Sequence, residues 1–184
     1  MTEERKVVRK VEVVGPDESW EAIFELEKDR LKHLFGDLVV EVYHIGSTAI
    51  PNIYAKPIID ILIEVKNIEK VDKFNSGMKQ LGYIPKGEYG IPGRRFFIKG
   101  TEMERTHHIH IFQQGDVEVG RHVNFRDYMR LHPDKAMAYS KLKRDLAQKY
   151  PEDITSYMTG KNGFIKTIEA EIIIWKKNIE KDLF

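Results

Sequence analysis

The 184-residue chain contains no cysteine, which excludes disulfides, thiolate nucleophiles and cysteine-ligated zinc sites. It also lacks long apolar runs: even Ile172–Trp175 is far shorter than the roughly 20 residues of a membrane-spanning helix. The N-terminal segment Met1–Lys10 is charged and has no apolar stretch typical of a signal peptide. We therefore expect a soluble, cytoplasmic globular protein, in which carboxylates, histidines, hydroxyls or water would hold any metal.

An excess of charge of one sign is likewise missing. The 30 basic and 29 acidic residues leave a net charge of +1, so the chain has no overall polyanion-binding character, and a long nucleic acid is an unlikely partner. Hydrophobic residues make up 41% of the chain, which is enough for the core of one domain.

The hydrophobic periodicity predicts one α+β domain over residues 1–184. Residues 1–118 form an α/β core, and residues 119–184 form a helical extension. The predicted strands are Val7–Val14, Leu38–Ile45, Ile58–Val65, Tyr83–Lys86, Arg94–Lys99 and His107–Phe112. The predicted helices follow Asp17, cover Ile68–Leu81, Phe125–Leu131 and Pro133–Lys149, begin again at Pro151, and end with Asn162–Lys181.

The segment most indicative of chemistry joins the second and third predicted strands. Gly46 and Ser47 directly follow a strand, where a glycine lets the backbone approach a ligand, and the hydroxyls of Ser47 and Thr48 can hold phosphate oxygens. Lys56 adds a positive charge, and Asp60 interrupts an otherwise apolar strand, so its carboxylate needs a partner such as a cation or metal. Alternatively, Gly46-Ser47 is only a turn and Asp60 only pairs with a lysine.

Taken together, several motifs resemble known proteins. They are His44-Ile-Gly-Ser-Thr, Ala55-Lys-Pro-Ile-Ile-Asp60, Arg94-Arg-Phe-Phe97, His107-His-Ile-His-Ile-Phe112, Asn124-Phe-Arg-Asp-Tyr-Met-Arg130 and Ala138-Tyr-Ser-Lys-Leu-Lys143. This set resembles the GrpB family, and a Gly-Ser after one strand with an acid in the next resembles the nucleotidyltransferase superfamily with its DNA polymerase beta-like fold. The resemblance implies a nucleotidyltransferase-like mixed β-sheet flanked by helices, followed by a helical C-terminal part.

The same resemblance implies roles for individual residues. Gly46 and Ser47 would contact the phosphates of a nucleoside triphosphate, and Asp60 would be the first metal-binding carboxylate. The superfamily places a second acid two residues after the first, whereas this chain has Leu62. Glu64 lies on the same strand face as Asp60 but too far along it to share an ion.

A histidine-rich strand takes the place where the superfamily has its third acid. His108 and His110 face the same side of the strand, and His107 faces the other side. With Asp60 they would form a two-histidine, one-carboxylate site for a transition metal, or one of them would act as a general base. Alternatively, they only form hydrogen bonds with the segment 125–127 and bind nothing. The metal, whether Mg²⁺, Mn²⁺ or Zn²⁺, is left open.

Basic residues complete the predicted site. Alternation along the strand puts one of Arg94 and Arg95 at the site, and we assign Arg95 to phosphate binding. Four more residues are candidates for substrate binding: Arg126, Tyr139, Lys143 and Lys161. Lys161 is expected in a turn between Gly160 and Gly163.

The function expected from these residues is divalent-metal-dependent transfer of a nucleotidyl group from a nucleoside triphosphate to a small-molecule or protein acceptor. One alternative is a metal-dependent phosphoesterase that uses Asp60, His108 and His110. Another is a nucleotide-binding module without catalysis, which the missing second acid favours. The expected ligand is a nucleoside triphosphate or another phosphorylated small molecule. The acceptor, the base preference and the oligomeric state are left open.

Overall fold

A computed structural model describes residues 9–182 and is built around a five-stranded sheet. The strands are β1 (Val39–Ile45), β2 (Ile59–Val65), β3 (Tyr83–Pro85), β4 (Arg95–Gly100) and β5 (Arg105–Gln113). They lie in the order β1-β2-β5-β4-β3. Strands β2 and β5 are parallel and the other neighbours are antiparallel, so the predicted mixed sheet is confirmed.

Within the described part of the chain, five α-helices flank this sheet or follow it. They are α1 (Ser19–Phe35), α2 (Asn75–Gln80), α3 (Val117–Leu131), α4 (Pro133–Lys149) and α5 (Ile154–Asp182). Pro133 stands at the first turn of α4, where its missing N–H costs no hydrogen bond. None of the helices within residues 9–182 combines the length and the apolar character needed to cross a bilayer.

The alternation of side chains along β2 separates the core from the site. Ile59, Ile61 and Ile63 face one side of the sheet, where they pack in a core with Phe24 and Leu31 of α1. Asp60 therefore points to the opposite side of the sheet, on the strand face that it shares with Glu64. In the parallel register of β2 and β5, Asp60 lies beside His108.

The C-terminal helices form a second apolar cluster with the segment that follows β1. In this cluster, Ile50 and Ile53 of that segment pack with Tyr139 of α4 and Ile168 of α5. Because the segment after β1 is clamped between the sheet and the C-terminal helices, it has a defined position beside Asp60.

Several predicted elements differ from the structure. The predicted strand Val7–Val14 lies partly outside the described residues, and within residues 9–14 only Val14 forms a bridge, to Ala55. The backbone N–H of Val11 instead donates to Pro151 O at 2.8 Å, so this stretch has no neighbouring strand to complete a ladder.

The predicted helix Ile68–Leu81 is a 3₁₀ helix over Ile68–Phe74 followed by α2. Its core residues Ile68, Val71 and Phe74 recur every third position, and this spacing matches three residues per turn. The prediction of one helix over Ile68–Leu81 assumed the α-helical period of 3.6 residues per turn for these side chains.

Helix α5 contradicts the predicted turn around Lys161, because it continues without interruption through Gly160 and Gly163. A Cβ atom on Gly160 would lie 2.5 Å from Leu146 Cδ2. Gly160 therefore serves the close approach of α5 to α4, and the glycine does not mark a turn.

Candidate functional site

The loop after β1 begins with a glycine that supports the Asp60 carboxylate. Gly46 has φ +71° and ψ −170°, a conformation that is essentially restricted to glycine. A Cβ atom at this position would lie 2.5 Å from Asp60 Oδ2. The backbone of Gly46 therefore needs both the conformation and the missing side chain, and it brings the start of the Ser47–Ala49 turn against the carboxylate.

Asp60 and two histidines converge as predicted. His108 Nδ1 lies 3.0 Å from Asp60 Oδ1, and His110 Nε2 lies 3.8 Å from the same oxygen. One donor atom from each of the three residues lies within 4.8 Å of the other two. His107 faces the other side of β5, where its Nε2 lies 4.0 Å from Glu27. The three donors are spaced closely enough to fit one ion, and imidazole nitrogens favour a transition metal.

Electrostatics keeps the carboxylate ionised and one imidazole neutral. Burial raises the pKa of Asp60, but the hydrogen bonds and charges of His108 and His110 outweigh it, so this pKa lies below its usual range. Burial lowers the pKa of His110 despite its contact with Asp60. At neutral pH the site therefore offers a carboxylate beside a neutral His110 imidazole.

Arg94, rather than Arg95, reaches this cluster. Two backbone carbonyls hold its guanidinium, Glu88 O at 3.2 Å and Tyr89 O at 2.7 Å, and Nη1 lies 3.3 Å from His110 Nδ1. Because a guanidinium only donates, Nδ1 of His110 accepts, and the neutral ring carries its hydrogen on Nε2, towards Asp60. Binding of a metal through Nε2 would require His110 to give up this arrangement.

The placement of Arg95 corrects the assignment made from the sequence. Its guanidinium donates to both carboxylate oxygens of Asp72, at 2.8 and 3.0 Å, and is not among the residues that line the site. Arg94 instead contacts His110, although it too is absent from the cavity lining. The alternation of side chains narrows the site arginine to one of Arg94 and Arg95. It does not tell which of the two faces the site, because Arg94 lies just before the first residue of β4.

Next to Asp60 lies a cavity of about 250 Å³ that gathers most of the predicted residues. Its polar lining consists of Gly46, Ser47, Thr48, Lys56, Asp60, His108, His110, Tyr139, Lys143, Tyr157 and Lys161. Lys143 is only 1% exposed, and its Nζ donates to Tyr54 O. Asp60 is the one carboxylate in this lining, opposite three lysines.

The enclosure of these lysines changes their acidity. Burial, together with the charges of Lys161 and Lys56, lowers the pKa of Lys143 to about 7. Burial and Lys161 likewise lower the pKa of Lys56 to about 8. Burial also lowers the pKa of Lys161, although Asp60 opposes the change. The positive charges of these ammonium groups repel one another, which lowers the stability of the folded state. An anion bound in the cavity would reduce this repulsion.

Two tyrosines form the wall behind the lysines. Lys143 Nζ lies 4.6 Å from the centre of the Tyr139 ring, and Lys161 Nζ lies 4.8 Å from that of Tyr157. Burial raises the pKa of Tyr139, so its hydroxyl stays protonated at neutral pH. The sequence analysis missed Tyr157, although its spacing of four residues from Lys161 on a helix was a usable signal.

Arg126 is not in the lining of the cavity. Its Nη1 donates to His44 O at 3.0 Å, and its Nε donates to Asp127 at 2.7 Å. Arg130, one turn later, donates to Ala49 O at 2.8 Å. Arg126 and Arg130 therefore hold the backbone on either side of Gly46, which corrects the direct substrate contact expected for Arg126.

Comparisons with known proteins agree with this architecture. The family model described as GrpB protein matches residues 10–171. UPF0157 protein YqkA of Bacillus subtilis is 51% identical over 92% of this chain, which spans only 49% of that relative's length. The crystal structure of the conserved protein GrpB from Enterococcus faecalis is 43% identical, with a TM-score of 0.86 over 90% of this chain and 99% of that one.

A more distant likeness concerns the fold alone. Cid1, solved in complex with its short product ApU, superposes with a TM-score of 0.50 at 12% identity, over 82% of this chain and 48% of that one. The predicted nucleotidyltransferase-like fold is thereby confirmed. Because the family model covers most of the length, from residue 10 to residue 171, the chain belongs to the GrpB protein family.

Proposed function

We propose that this protein transfers a nucleotidyl group from a nucleoside triphosphate to a small-molecule or protein acceptor, with the help of a divalent metal ion. The observation that carries the proposal is the lysine-lined cavity beside Asp60. Lys56, Lys143 and Lys161 surround one carboxylate there, so the cavity is suited to a ligand with several negative charges. The nucleotidyltransferase-like fold supports a triphosphate as that ligand.

Residues of this chain have separate tasks in that reaction. The three lysines bind phosphate oxygens, and the glycine at position 46 lets the chain pass close to the ligand without a side chain in between. Asp60, His108 and His110 would hold the ion once His108 Nδ1 and His110 Nε2 release the hydrogens that face the carboxylate. The ion would neutralise charge that develops on the phosphate oxygens. The Tyr139 hydroxyl donates a hydrogen bond to the ligand.

A nucleotide-binding module without catalysis is the second candidate, and Leu62 favours it. The Leu62 side chain is fully buried at the position where the superfamily has its second acid. This position therefore supplies no second carboxylate to the ion. Metal-dependent nucleotide binding without release of pyrophosphate would support this candidate.

The test is calorimetric titration and thermal unfolding of the purified protein with ATP, GTP, CTP and UTP, each with and without Mg²⁺, Mn²⁺ or Zn²⁺. A ligand at a hundred times its dissociation constant adds about 2.7 kcal/mol of stability, or roughly 5–10 °C in Tm for a chain of this size. We expect a shift that needs both metal and triphosphate, and release of pyrophosphate when an acceptor is supplied.

Two variants of β2 form a matched pair for this test. Asp60→Asn removes the charge from the cavity, and we expect it to abolish the metal-dependent part of the shift. Glu64→Gln changes a carboxylate on the same strand face, but Glu64 only accepts a hydrogen bond from Gly115 N at 3.0 Å. It should therefore bind like the wild type. Equal binding by wild type and Asp60→Asn would refute the assigned site.

A further inference from the structure

At the edge of the lysine-lined cavity, three side chains form a chain of hydrogen bonds that ends on a hydroxyl. Glu21 Oε2 lies 3.0 Å from His44 Nδ1, and His44 Nε2 lies 2.9 Å from Thr48 Oγ. The ring of His44 is 3% exposed and stacks on Phe24, with ring centres 4.6 Å apart. The imidazole therefore has little freedom to turn away from either partner.

The donors and acceptors in this chain follow from the charge states of Glu21 and His44. An ionised Glu21 only accepts, so His44 carries a hydrogen on Nδ1. Burial lowers the pKa of His44, so the ring is neutral at neutral pH and Nε2 keeps its lone pair. The one hydrogen of Thr48 Oγ1 then has two acceptors, Nε2 at 2.9 Å and Ile58 O at 3.3 Å, and Nε2 is the nearer of the two. A carboxylate, an imidazole and a hydroxyl in this order are the arrangement that activates a hydroxyl nucleophile.

Thr48 borders two cavities, so the hydrogen bonds of its side chain can do more than stabilise the Ser47–Ala49 turn. The residue lines the lysine-lined cavity and also a second cavity of about 490 Å³, which is bordered by Trp20, Glu21 and Arg130. Thr48 thus lies on the partition between the two spaces. A hydroxyl with a base behind it borders the cavity that attracts phosphate groups.

We propose that Thr48 is a nucleophile towards tetrahedral phosphorus, with His44 as its general base and Glu21 as the residue that orients His44. Its donor is the nucleoside triphosphate, and this part of the proposal rests on the proposed function. Thr48 Oγ forms a bond to the α-phosphorus, and the bond from that phosphorus to the pyrophosphate oxygen breaks. The hydroxyl proton passes to His44 Nε2, and pyrophosphate leaves. The product is a nucleotidylated Thr48, which hands the group to an acceptor or remains as a modification.

The first experiment needs no nucleotide. The full-length protein is incubated with a fluorophosphonate, which loses fluoride when a hydroxyl attacks its phosphorus, and the modified residue is located by peptide mass spectrometry. We expect Thr48 to be labelled in the wild type and in Thr48→Ser, and not in Thr48→Val. His44→Gln should slow labelling by roughly 100-fold or more, as is typical when a general base is lost. Glu21→Gln should slow it by a smaller factor.

A second threonine–histidine pair provides the matched control. Thr106 Oγ lies 2.9 Å from His107 Nδ1 and 3.3 Å from Lys99 O, so its two contacts resemble those of Thr48. The far nitrogen of His107 has no hydrogen-bond partner, however, because the Glu27 carboxylate lies 4.0 Å away, beyond hydrogen-bond distance. Thr106 should stay unlabelled, and Thr106→Val should leave labelling of Thr48 unchanged.

Labelling that avoids Thr48, or that is equal in wild type and His44→Gln, overturns the proposal. Mapping in the wild type decides the question even if Thr48→Val fails to fold. The second experiment uses ATP with Mn²⁺ and looks for the added mass of one nucleotidyl group on Thr48. Fluorophosphonate labelling without this mass would overturn the nucleotide as donor. Metal-dependent nucleotide binding without any labelling would refute the nucleophile and leave the proposed function standing.

Discussion

Replacement of Gly46 by alanine tests whether the loop after β1 is built around the Asp60 carboxylate. The new Cβ atom would lie 2.5 Å from Asp60 Oδ2 and 3.0 Å from Asp60 Cβ. The neighbouring atoms cannot easily move away, because Arg126 and Arg130 hold the backbone on both sides of the glycine. Either the loop or the carboxylate must shift, and both belong to the candidate site.

The expected cost has two parts. A residue with a side chain in the backbone conformation of Gly46 is strained by about 1–3 kcal/mol. The contact with Asp60 adds to this strain. Gly36 separates the two parts, because it also has a positive φ, +53°, but a Cβ atom there would meet nothing within 4 Å. Gly36→Ala should therefore show backbone strain alone, and Gly46→Ala should show strain plus the contact.

The assay is thermal unfolding followed by titration with Mn²⁺ and ATP. At roughly 2–4 °C per kcal/mol for a chain of this length, strain alone lowers Tm by about 2–12 °C, and Gly46→Ala should exceed Gly36→Ala. Gly46→Ala should also bind metal and nucleotide at least tenfold more weakly, whereas Gly36→Ala should bind them normally. Equal Tm values for the two variants, with binding intact in both, would refute the close packing of Gly46 on Asp60.

Three further predictions concern the pKa of Lys143, the position of the ring hydrogen on His110 and the packing of glycines in α5. Because the pKa of Lys143 is about 7 in the fold and about 10.5 in the unfolded chain, the unfolded state binds the extra proton between these values. The free energy of unfolding should therefore rise with pH across that window, and chemical denaturation should show this rise to be smaller in Lys143→Met. Arg94→Leu should free His110 Nδ1 and remove a positive charge, so Zn²⁺ should bind more tightly by calorimetry; weaker binding would mean that Arg94 prepares His110 as a ligand. Gly160→Ala should lower Tm through its clash with α4, whereas Gly163→Ala, with open space around it, should raise stability by about 0.5–1 kcal/mol in the same unfolding experiment.

The sequence was most informative where local patterns act over a few residues. The alternation in β2 predicted that Asp60 and Glu64 share one strand face, and the same period put His108 and His110 together on β5. Their convergence on one carboxylate depends in addition on the parallel pairing of β2 with β5, which no local pattern encodes. The resemblance to known motifs supplied that pairing in outline.

Contacts between distant segments were much harder to predict. The strand period could not say which of Arg94 and Arg95 faces the site, because that depends on where β4 begins and on the loop carbonyls that hold Arg94. Gly160 was interpreted as a turn signal because local propensity disfavours glycine within a helix. Its contact with Leu146 of α4 is a tertiary reason for the glycine, and it places Lys161 on a helix above the cavity.

The composition of the site explains how it differs from a site for two metal ions. Such a site holds its ions about 3.5–4 Å apart and needs several carboxylates to balance them. Here the position of the second acid is taken by the buried Leu62, and histidines stand on the neighbouring strand, so Asp60 is the one carboxylate among the cavity's lining residues. Three lysines then shift the local balance to positive charge. A triphosphate bound there would contact one ion and three ammonium groups. These ammonium groups would neutralise the phosphate charge that a second ion neutralises in a two-metal site. With only one metal-binding carboxylate, activation of a hydroxyl would need another base, and His44, with Nε2 2.9 Å from the Thr48 hydroxyl, is the residue we propose for this role.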